Sequence, residues 1–259
     1  MAMNYEQFKT QVFSLTKIDL NAYKERQMKR RIDSLISKNK FSGYDDYVAA
    51  IKKDANLLEE FINYLTINVS EFYRNPEQWR VLESEILPVL MKSGGRLKIW
   101  SAACSTGDEP YTLAMVLGKY MPLSSISIMA TDIDKQVLEK AQVGLYTQKS
   151  LAGLPKEYVS KYFTSVGNSA FQISNEIKKC VQFKQHNLLK DTYPTNFDLI
   201  LCRNVLIYFT EEAKEEIYRK FNATLRVGGY LFVGSTEQII KYRELNYESY
   251  KSFFYKKIR

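Results

Sequence analysis

The chain has 259 residues, room for one large domain or two smaller ones. Its 45% hydrophobic and 14% aromatic content can fill a core, yet no run of about 18 apolar residues exists to cross a membrane. A net charge of +8 invites an acidic partner without naming its class.

The three cysteines, Cys104, Cys180 and Cys202, form no CxxC pair, and His186 is the single histidine. A reduced, cytoplasmic protein without a metal site is therefore expected, and a Ser-His triad is disfavoured. The N-terminus, MAMNYEQFKT, lacks the basic-then-apolar pattern of an export signal.

Residues 1–76 read as a helical domain, with apolar positions three and four apart in YEQFKTQVFSLT, YDDYVAAIKK and LLEEFINYLT. Between Leu20 and Lys40 stand seven cations and two anions, a local net of +5. Met28, Ile32, Leu35 and Ile36 form one apolar stripe there. Arg26 and Arg30 fall opposite it, flanked by Lys24, Lys29 and Arg31. Such a helix packs by one face and either solvates the other or offers it to an acidic partner.

At Asn75-Pro76 the pattern changes. A connecting helix, Glu77 to Met91, leads to a break at Ser93-Gly94-Gly95, and residues 77–259 then alternate strands with helices. The strands are 97–103, 126–131, 181–185, 197–202 and 230–234; the helices between them are 110–119, 135–142 and 211–225. This is the rhythm of a Rossmann-like α/β domain with a parallel sheet. Val227-Gly228-Gly229 reads as a turn feeding the last central strand. Between about 146 and 180 the rhythm breaks: Tyr162-Phe163-Thr164 and Phe171-Gln172-Ile173 bracket Gly167-Asn168, a small antiparallel β insertion.

The segment LKIWSAACSTGDEPYTLAM (97–115) carries the most chemistry. An apolar strand passes through small residues, which admit a ligand close to the backbone, into a helix opening at Pro110. Asp108 and Glu109 would repel a phosphate but suit a cationic group, such as the amino group of S-adenosylmethionine. The same segment also reads as a plain strand-to-helix turn with an acidic start.

Other strand ends add to it, since ligands of open α/β sheets bind there. Asp132 follows the second strand, where a carboxylate can accept both hydroxyls of a ribose; Asp134 is free to cap the next helix. His186-Asn187-Leu188-Leu189 follows the third, offering an amide for an adenine edge and apolar cover for its face. Arg203-Asn204 and then Tyr208 follow the fourth. A GxGxxG dinucleotide fingerprint is absent.

Six segments in order, LTINVSEFYRN (65–75), IWSAACSTGDEPYTLAM (99–115), ATDIDKQVLEKAQVGLY (130–146), HNLL (186–189), FDLILCRNVLIYF (197–209) and GGYLFVGSTEQ (228–238), resemble the CheR-type chemotaxis receptor glutamate methyltransferases. The resemblance spans almost the whole chain. It implies methyl transfer from S-adenosylmethionine, leaving S-adenosylhomocysteine, to glutamates of methyl-accepting receptor helices, which become methyl esters. It also implies cofactor contacts at Asn68, Ser70, Arg74, Glu109, Asp132, Asn187, Leu188, Arg203 and Asn204, and places Arg74 and Tyr208 near the transferred methyl. Ser70 stands where Thr also occurs in the family, and Asp108 where Glu is common. The turn SVGNSA is shorter than the loop of family members that grip a receptor's C-terminal pentapeptide, so tethering is not expected here.

The chemistry agrees with that reading. A glutamate carboxylate has an ordinary pKa of about 4.3 and is ionised at neutral pH, so no general base is needed. A carboxylate meeting a sulfonium loses charge in the transition state, and water exclusion with in-line positioning accelerates it. Arg26, Lys29, Arg30 and Arg31 would then dock the acidic receptor helix. A monomer without nucleic-acid partner or membrane insertion is expected. The alternative, a nucleic-acid methyltransferase, finds no NPPY-like or catalytic-cysteine motif in CRNVLIY. A non-catalytic binding module is disfavoured because every strand end carries a ligand-type group.

Overall fold

The computed structural model describes residues 2–92 and 94–259; Ser93, within the expected break, lies outside the described residues. The chain forms two compact units, residues 1–68 with 208–215, and residues 69–207 with 216–259.

In the first unit, helix α1 (Tyr5–Thr16) opens with a reciprocal cap between Asn4 and Gln7, which satisfies amides that a helix start leaves unpaired. Helices α2 (Glu25–Lys38), α3 (Tyr44–Ile51) and α4 (Ala55–Thr66) follow. Asp54 caps α4 by accepting from Asn56 and Leu57 N–H. The expected stripe of α2 is inside: Met28, Ile32, Leu35 and Ile36 are all buried. Phe61 is the centre of the core, with Phe8 and Tyr47 edge-on to it at 6.1 and 5.7 Å. Residues 208–215 belong here through backbone pairing. Lys24 N–H donates to the Tyr208 carbonyl at 2.9 Å, and Thr210 N–H to that of Ala22 at 2.8 Å. The rings of Tyr23 and Phe209 stack at 4.6 Å.

The first unit ends at Asn68, ahead of the expected 76. Residues beyond it are pinned to the second unit, where Tyr73 N–H donates to Thr112 Oγ1 at 3.1 Å. A helical run then covers α5 (Pro76–Val81), a π turn (Leu82–Ile86) and α6 (Leu87–Lys92).

The main sheet has seven strands. In chain order its first five are β1 (Ile99–Ala102), β2 (Ile128–Asp132), β6 (Val181–Gln185), β7 (Phe197–Cys202) and β8 (Leu225–Val233). Strands β3 (Leu145–Thr147), β4 (Phe163–Ser165) and β5 (Ala170–Ile173) form a separate antiparallel sheet in the order β3-β5-β4. Two strands at the C-terminus, β9 (Tyr247–Lys251) and β10 (Phe254–Lys257), complete the main sheet, whose order is β6-β2-β1-β7-β8-β10-β9. The four pairings among β6, β2, β1, β7 and β8 are parallel, and β10 runs antiparallel to both its neighbours. Helices α7 (Asp108–Leu117), α8 (Lys135–Val143), α9 (Lys156–Tyr162), α10 (Asn175–Lys178) and α11 (Glu211–Thr224) connect these strands. β1 is buried along its length, as a central parallel strand covered on both faces must be.

Four details differ from the sequence reading. The helix expected from Pro110 opens at Asp108, because Gly107 takes a φ of 88° and starts the turn early. Val227-Gly228-Gly229 lies inside β8, where the pairing with β7 shifts register, rather than forming a turn before it. Tyr162 ends α9 instead of opening a strand, and the insertion gains β3. The β9–β10 hairpin adds two strands after the one read as last.

Among the described residues no helix is long and apolar enough to cross a membrane. All three cysteines are free and buried.

Candidate functional site

The strand order places the site. Connections after β1 and β2 run to one side of the sheet, and those after β7 and β8 to the other. Between β1 and β7 the direction reverses, opening a crevice at their carboxyl ends where α/β proteins bind ligands.

On one side of the crevice stands the loop after β1. Ala103 and Ser105 both hold left-handed backbone, φ 63° and 47°, a conformation most side chains avoid. It turns the Ser105 N–H onto Oδ2 of Asp132 at 2.8 Å, while Asp134 N–H donates to Oδ1 at 3.0 Å. Asp134 itself caps α8 by accepting from Gln136 N–H, so it serves the helix and leaves Asp132 to the crevice. Burial pushes the Asp132 carboxyl up to about 6, and the amides that donate to it hold it from rising further.

The two acids after Gly107 part company. Asp108 is buried and accepts from Thr106 Oγ1 at 2.5 Å. It also holds the Ser70 hydroxyl, and burial raises its pKa against those two bonds. Its role is to tie residue 70 to the start of α7. Glu109 instead accepts from Ser101 Oγ at 2.8 Å and lies 3.5 Å from Arg203 Nη1. Burial raises the Glu109 carboxyl as well, opposed by the Arg203 charge.

Arg203, after β7, is almost fully enclosed. Its Nη2 donates to the Arg74 carbonyl at 2.8 Å, to Asn75 Oδ1 at 3.2 Å and to Gln78 Oε1 at 2.8 Å. The guanidinium lies 4.5 Å from the Phe232 ring centre and 5.5 Å from that of Trp79. Burial lowers its pKa and Glu109 opposes this; the group stays charged far above neutrality in any case. Trp79 Nε1 also donates to the Arg74 carbonyl, at 3.0 Å. The backbone of Arg74 is thus held twice, whereas its side chain is only loosely engaged, 3.7 Å from exposed Glu71.

After β6, His186 N–H donates to the Asp132 carbonyl at 2.9 Å. Asn187 Oδ1 accepts from Leu189 N–H at 2.9 Å, so part of that amide shapes its own loop. Leu188 is buried and Leu189 half-buried.

Ser70, Arg74, Glu109, Asp132, Asn187, Leu188, Arg203 and Asn204 therefore all belong to one unit. Asn68 and Tyr208 belong to the other. Asn68 Nδ2 donates to Thr66 Oγ1 at 2.9 Å, and Tyr208 is half-buried beside a buried Phe209. In α2, Arg26 and Arg30 are exposed as expected. Lys29 pairs with Asp33 on the same helix at 2.7 Å, near the Tyr5 and Tyr44 rings, and its side chain stays 43% exposed. Arg31 likewise donates to the Tyr64 carbonyl at 2.7 Å and lies over the Tyr64 ring.

Sequence reasoning missed Gln78 and Glu237, both buried, which hold Arg203 and the backbone after it. Glu237 stood in the quoted segment GSTEQ without a role; a charged residue after an apolar strand was the available signal.

Ser105 Oγ, Arg203 Nε and Asn204 Oδ1 are buried without a hydrogen-bond partner. Buried polar atoms are rarely left so, and these three lie in the loops that flank the crevice. With the carboxylates of Asp132 and Glu109, they match a ligand that carries hydroxyls, an ammonium and further donors and acceptors. S-adenosylmethionine is such a ligand, and the residues fit it.

Comparison with known proteins agrees. A family described as CheR methyltransferase, SAM binding domain, matches residues 68–253, and one described as CheR methyltransferase, all-alpha domain, matches residues 3–66. The chain is 44% identical over 239 residues to the chemotaxis protein methyltransferase of Listeria innocua, covering 92% of this chain and 91% of that one. The Listeria monocytogenes protein of the same description gives the same identity and coverage. That of Borreliella burgdorferi is 34% identical over 243 residues, covering 89% and 86%. The chain belongs to the CheR methyltransferase family, and S-adenosylmethionine is its methyl donor.

Proposed function

We propose that the protein transfers the methyl group to glutamate side chains on the cytoplasmic helices of chemotaxis receptors, giving glutamate methyl esters. The relatives are described as chemotaxis protein methyltransferases, and the six-segment resemblance supplies the finer substrate.

The observation that carries the reading is the paired carboxylate arrangement at the ends of β1 and β2. Asp132, held by two amides, takes the ribose hydroxyls. Glu109 takes the amino group of the methionine moiety, with Ser101 and Arg203 fixing its plane. Asn187 and Leu188 cover the adenine, and Ser70, Arg203 and Asn204 complete the pocket; Asn68 is a cofactor contact that the resemblance implies.

The bound cofactor supplies a methyl on a sulfonium centre, an electrophile ready for in-line displacement. The chain's task is to hold the glutamate carboxylate, already ionised, in line and dry. No proton has to leave the nucleophile, so no residue needs to act as a base. Arg74, whose side chain is loosely held, is assigned to orienting the substrate carboxylate, and Tyr208 to the approach of the methyl. An arginine gripping the nucleophile tightly would lower its reactivity, so a loose cation suits this role. Arg203 is engaged on other partners and serves to position Glu109 and the Arg74 backbone.

The test is transfer of labelled methyl from S-adenosylmethionine to receptor-containing membranes. The expected label is released as methanol in alkali, as a glutamyl ester requires. Alkali-stable label, or transfer to nucleic acid in place of receptor, would remove the assignment.

A further inference from the structure

One buried carboxylate at the same edge of the sheet has no part in the reading above. Glu237, just past the end of β8, is 5% exposed. Its Oε2 accepts from Asn204 N–H at 2.5 Å and Gly234 N–H at 2.9 Å. Its Oε1 accepts from Leu206 N–H at 2.6 Å and Ile207 N–H at 3.3 Å. Three of these donors come from the segment directly after Arg203. A run of convergent amides is an anion nest, and here the chain fills the nest with its own side chain.

The fit depends on residue 234 being glycine. A Cβ there would stand 2.5 Å from Glu237 Oε2 and 2.7 Å from Asn204 N, closer than real atoms pack. Asn204 itself holds a φ of 60°, a conformation that needs outside support in most residues. Its side chain ends in Oδ1, buried without a partner.

We infer that Glu237 is a positioning residue for cofactor binding. By clamping the Asn204 amide it fixes where the Asn204 side chain points, and it touches no reactant itself. The inference rests on Asn204 lining the cofactor pocket, and its test separates the two.

Glu237→Gln keeps the shape but leaves one acceptor oxygen, turning an NH2 toward two of the N–H donors. Affinity for S-adenosylhomocysteine, measured by calorimetry, is expected to fall about tenfold, the scale of a hydrogen bond lost to a charged group. In an Asn204→Ala background the same change is expected to alter affinity less than about twofold, because the residue it works through is gone. The loss of melting temperature should be equal in both backgrounds, a readout that a merely structural role would share. Equal losses of affinity in both backgrounds, or unchanged affinity in Glu237→Gln alone, would overturn the inference. Unchanged affinity in Asn204→Ala would overturn the pocket assignment beneath it. Should Glu237→Gln not fold, Glu237→Asp, one methylene short of the nest, runs the same cycle.

Discussion

The Ser105 N–H donates to Asp132 Oδ2 at 2.8 Å, which joins the loop after β1 to the end of β2. One carboxylate thereby shapes the loop and, under the proposed function, also receives the ribose. Its environment sets up a conflict between stability and binding. Burial pushes the Asp132 carboxyl up to about 6, above its unfolded value near 4. Between those values the folded protein holds more protons than the unfolded chain, so stability falls as pH rises through the window. The penalty is complete above pH 6 and relieved near pH 4. The stability of an Asp132→Asn variant relative to wild type should therefore decline by about 2–3 kcal/mol as pH drops from 7 to 4. Denaturant unfolding of the cofactor-free proteins at the two pH values measures this; a constant difference would contradict it.

Cofactor affinity should move the other way. The ionised carboxylate is the better acceptor for ribose hydroxyls, so wild-type affinity is expected to weaken as pH falls through about 6. Asp132→Ala should bind about 1.5–3 kcal/mol more weakly at pH 7.5, the range for hydrogen bonds to a charged group. It should also lose that pH dependence. Calorimetry giving wild-type affinity in both Asp132→Ala and Glu109→Ala would end this assignment.

Why the strand ends were readable and their supports were not has a physical reason. β1, β2 and β7 announce themselves as short apolar runs and β6 by the alternation of Val181 and Phe183 with polar residues, and a parallel sheet brings their carboxyl ends to one edge. Asp132 and Glu109 could thus be placed from order alone. The inward turn of Asp108 could not, because it depends on Gly107 taking φ 88° and starting α7 early. Arg203 could be placed at a strand end, but the hold on its Nη2 by Gln78, 125 residues away, and by the carbonyl of Arg74 could not. Arg31 read as a docking charge, but the Tyr64 carbonyl reaches it only after α2 and α4 pack; the Lys29–Asp33 pair, four residues apart on α2, was open to sequence reasoning. The β9–β10 hairpin was missed because Tyr247–Lys257 lacks a two-residue Gly or Asn turn; Phe253 takes the left-handed position instead, φ 70°.

The Arg203–Glu109 pair gives a second stability prediction. Side-chain exposure is 2% for Arg203 and 13% for Glu109, so removing one partner leaves a buried charge alone. Arg203→Met is expected to cost about 3–5 kcal/mol in denaturant unfolding. Adding Glu109→Gln should recover part of that loss, since the stranded charge is gone. A double variant no more stable than Arg203→Met would show that the loss comes from the three acceptors left by Nη2 instead.

Arg74 and Tyr208 should behave in the opposite way. The Arg74 side chain is 32% exposed and pairs at 3.7 Å with Glu71, a weak surface partner. The backbone carbonyls of both residues, by contrast, are hydrogen-bonded and survive substitution. Arg74→Ala and Tyr208→Phe proteins are expected to melt within a few degrees of wild type yet lose methyl transfer. Full activity in Tyr208→Phe would leave only its ring with a role.

The exposed charges of α2 separate docking from chemistry. Arg26 and Arg30, four residues apart, present one face of that helix, while Lys29 and Arg31 also engage Asp33 and the Tyr64 carbonyl. An Arg26→Ala/Arg30→Ala variant should bind S-adenosylmethionine normally and show a raised apparent KM for receptor. Its activity should also depend less on ionic strength, because attraction between exposed charges is screened over about 8–10 Å at physiological salt. The β4–β5 turn is tight, with Gly167, Asn168 and Ser169 all at positive φ, and offers little reach for a receptor tail. Deleting the receptor's C-terminal tail is therefore expected to change the rate little. Unchanged receptor kinetics in the double variant, with a large loss on tail deletion, would move recognition from α2 to the small β sheet.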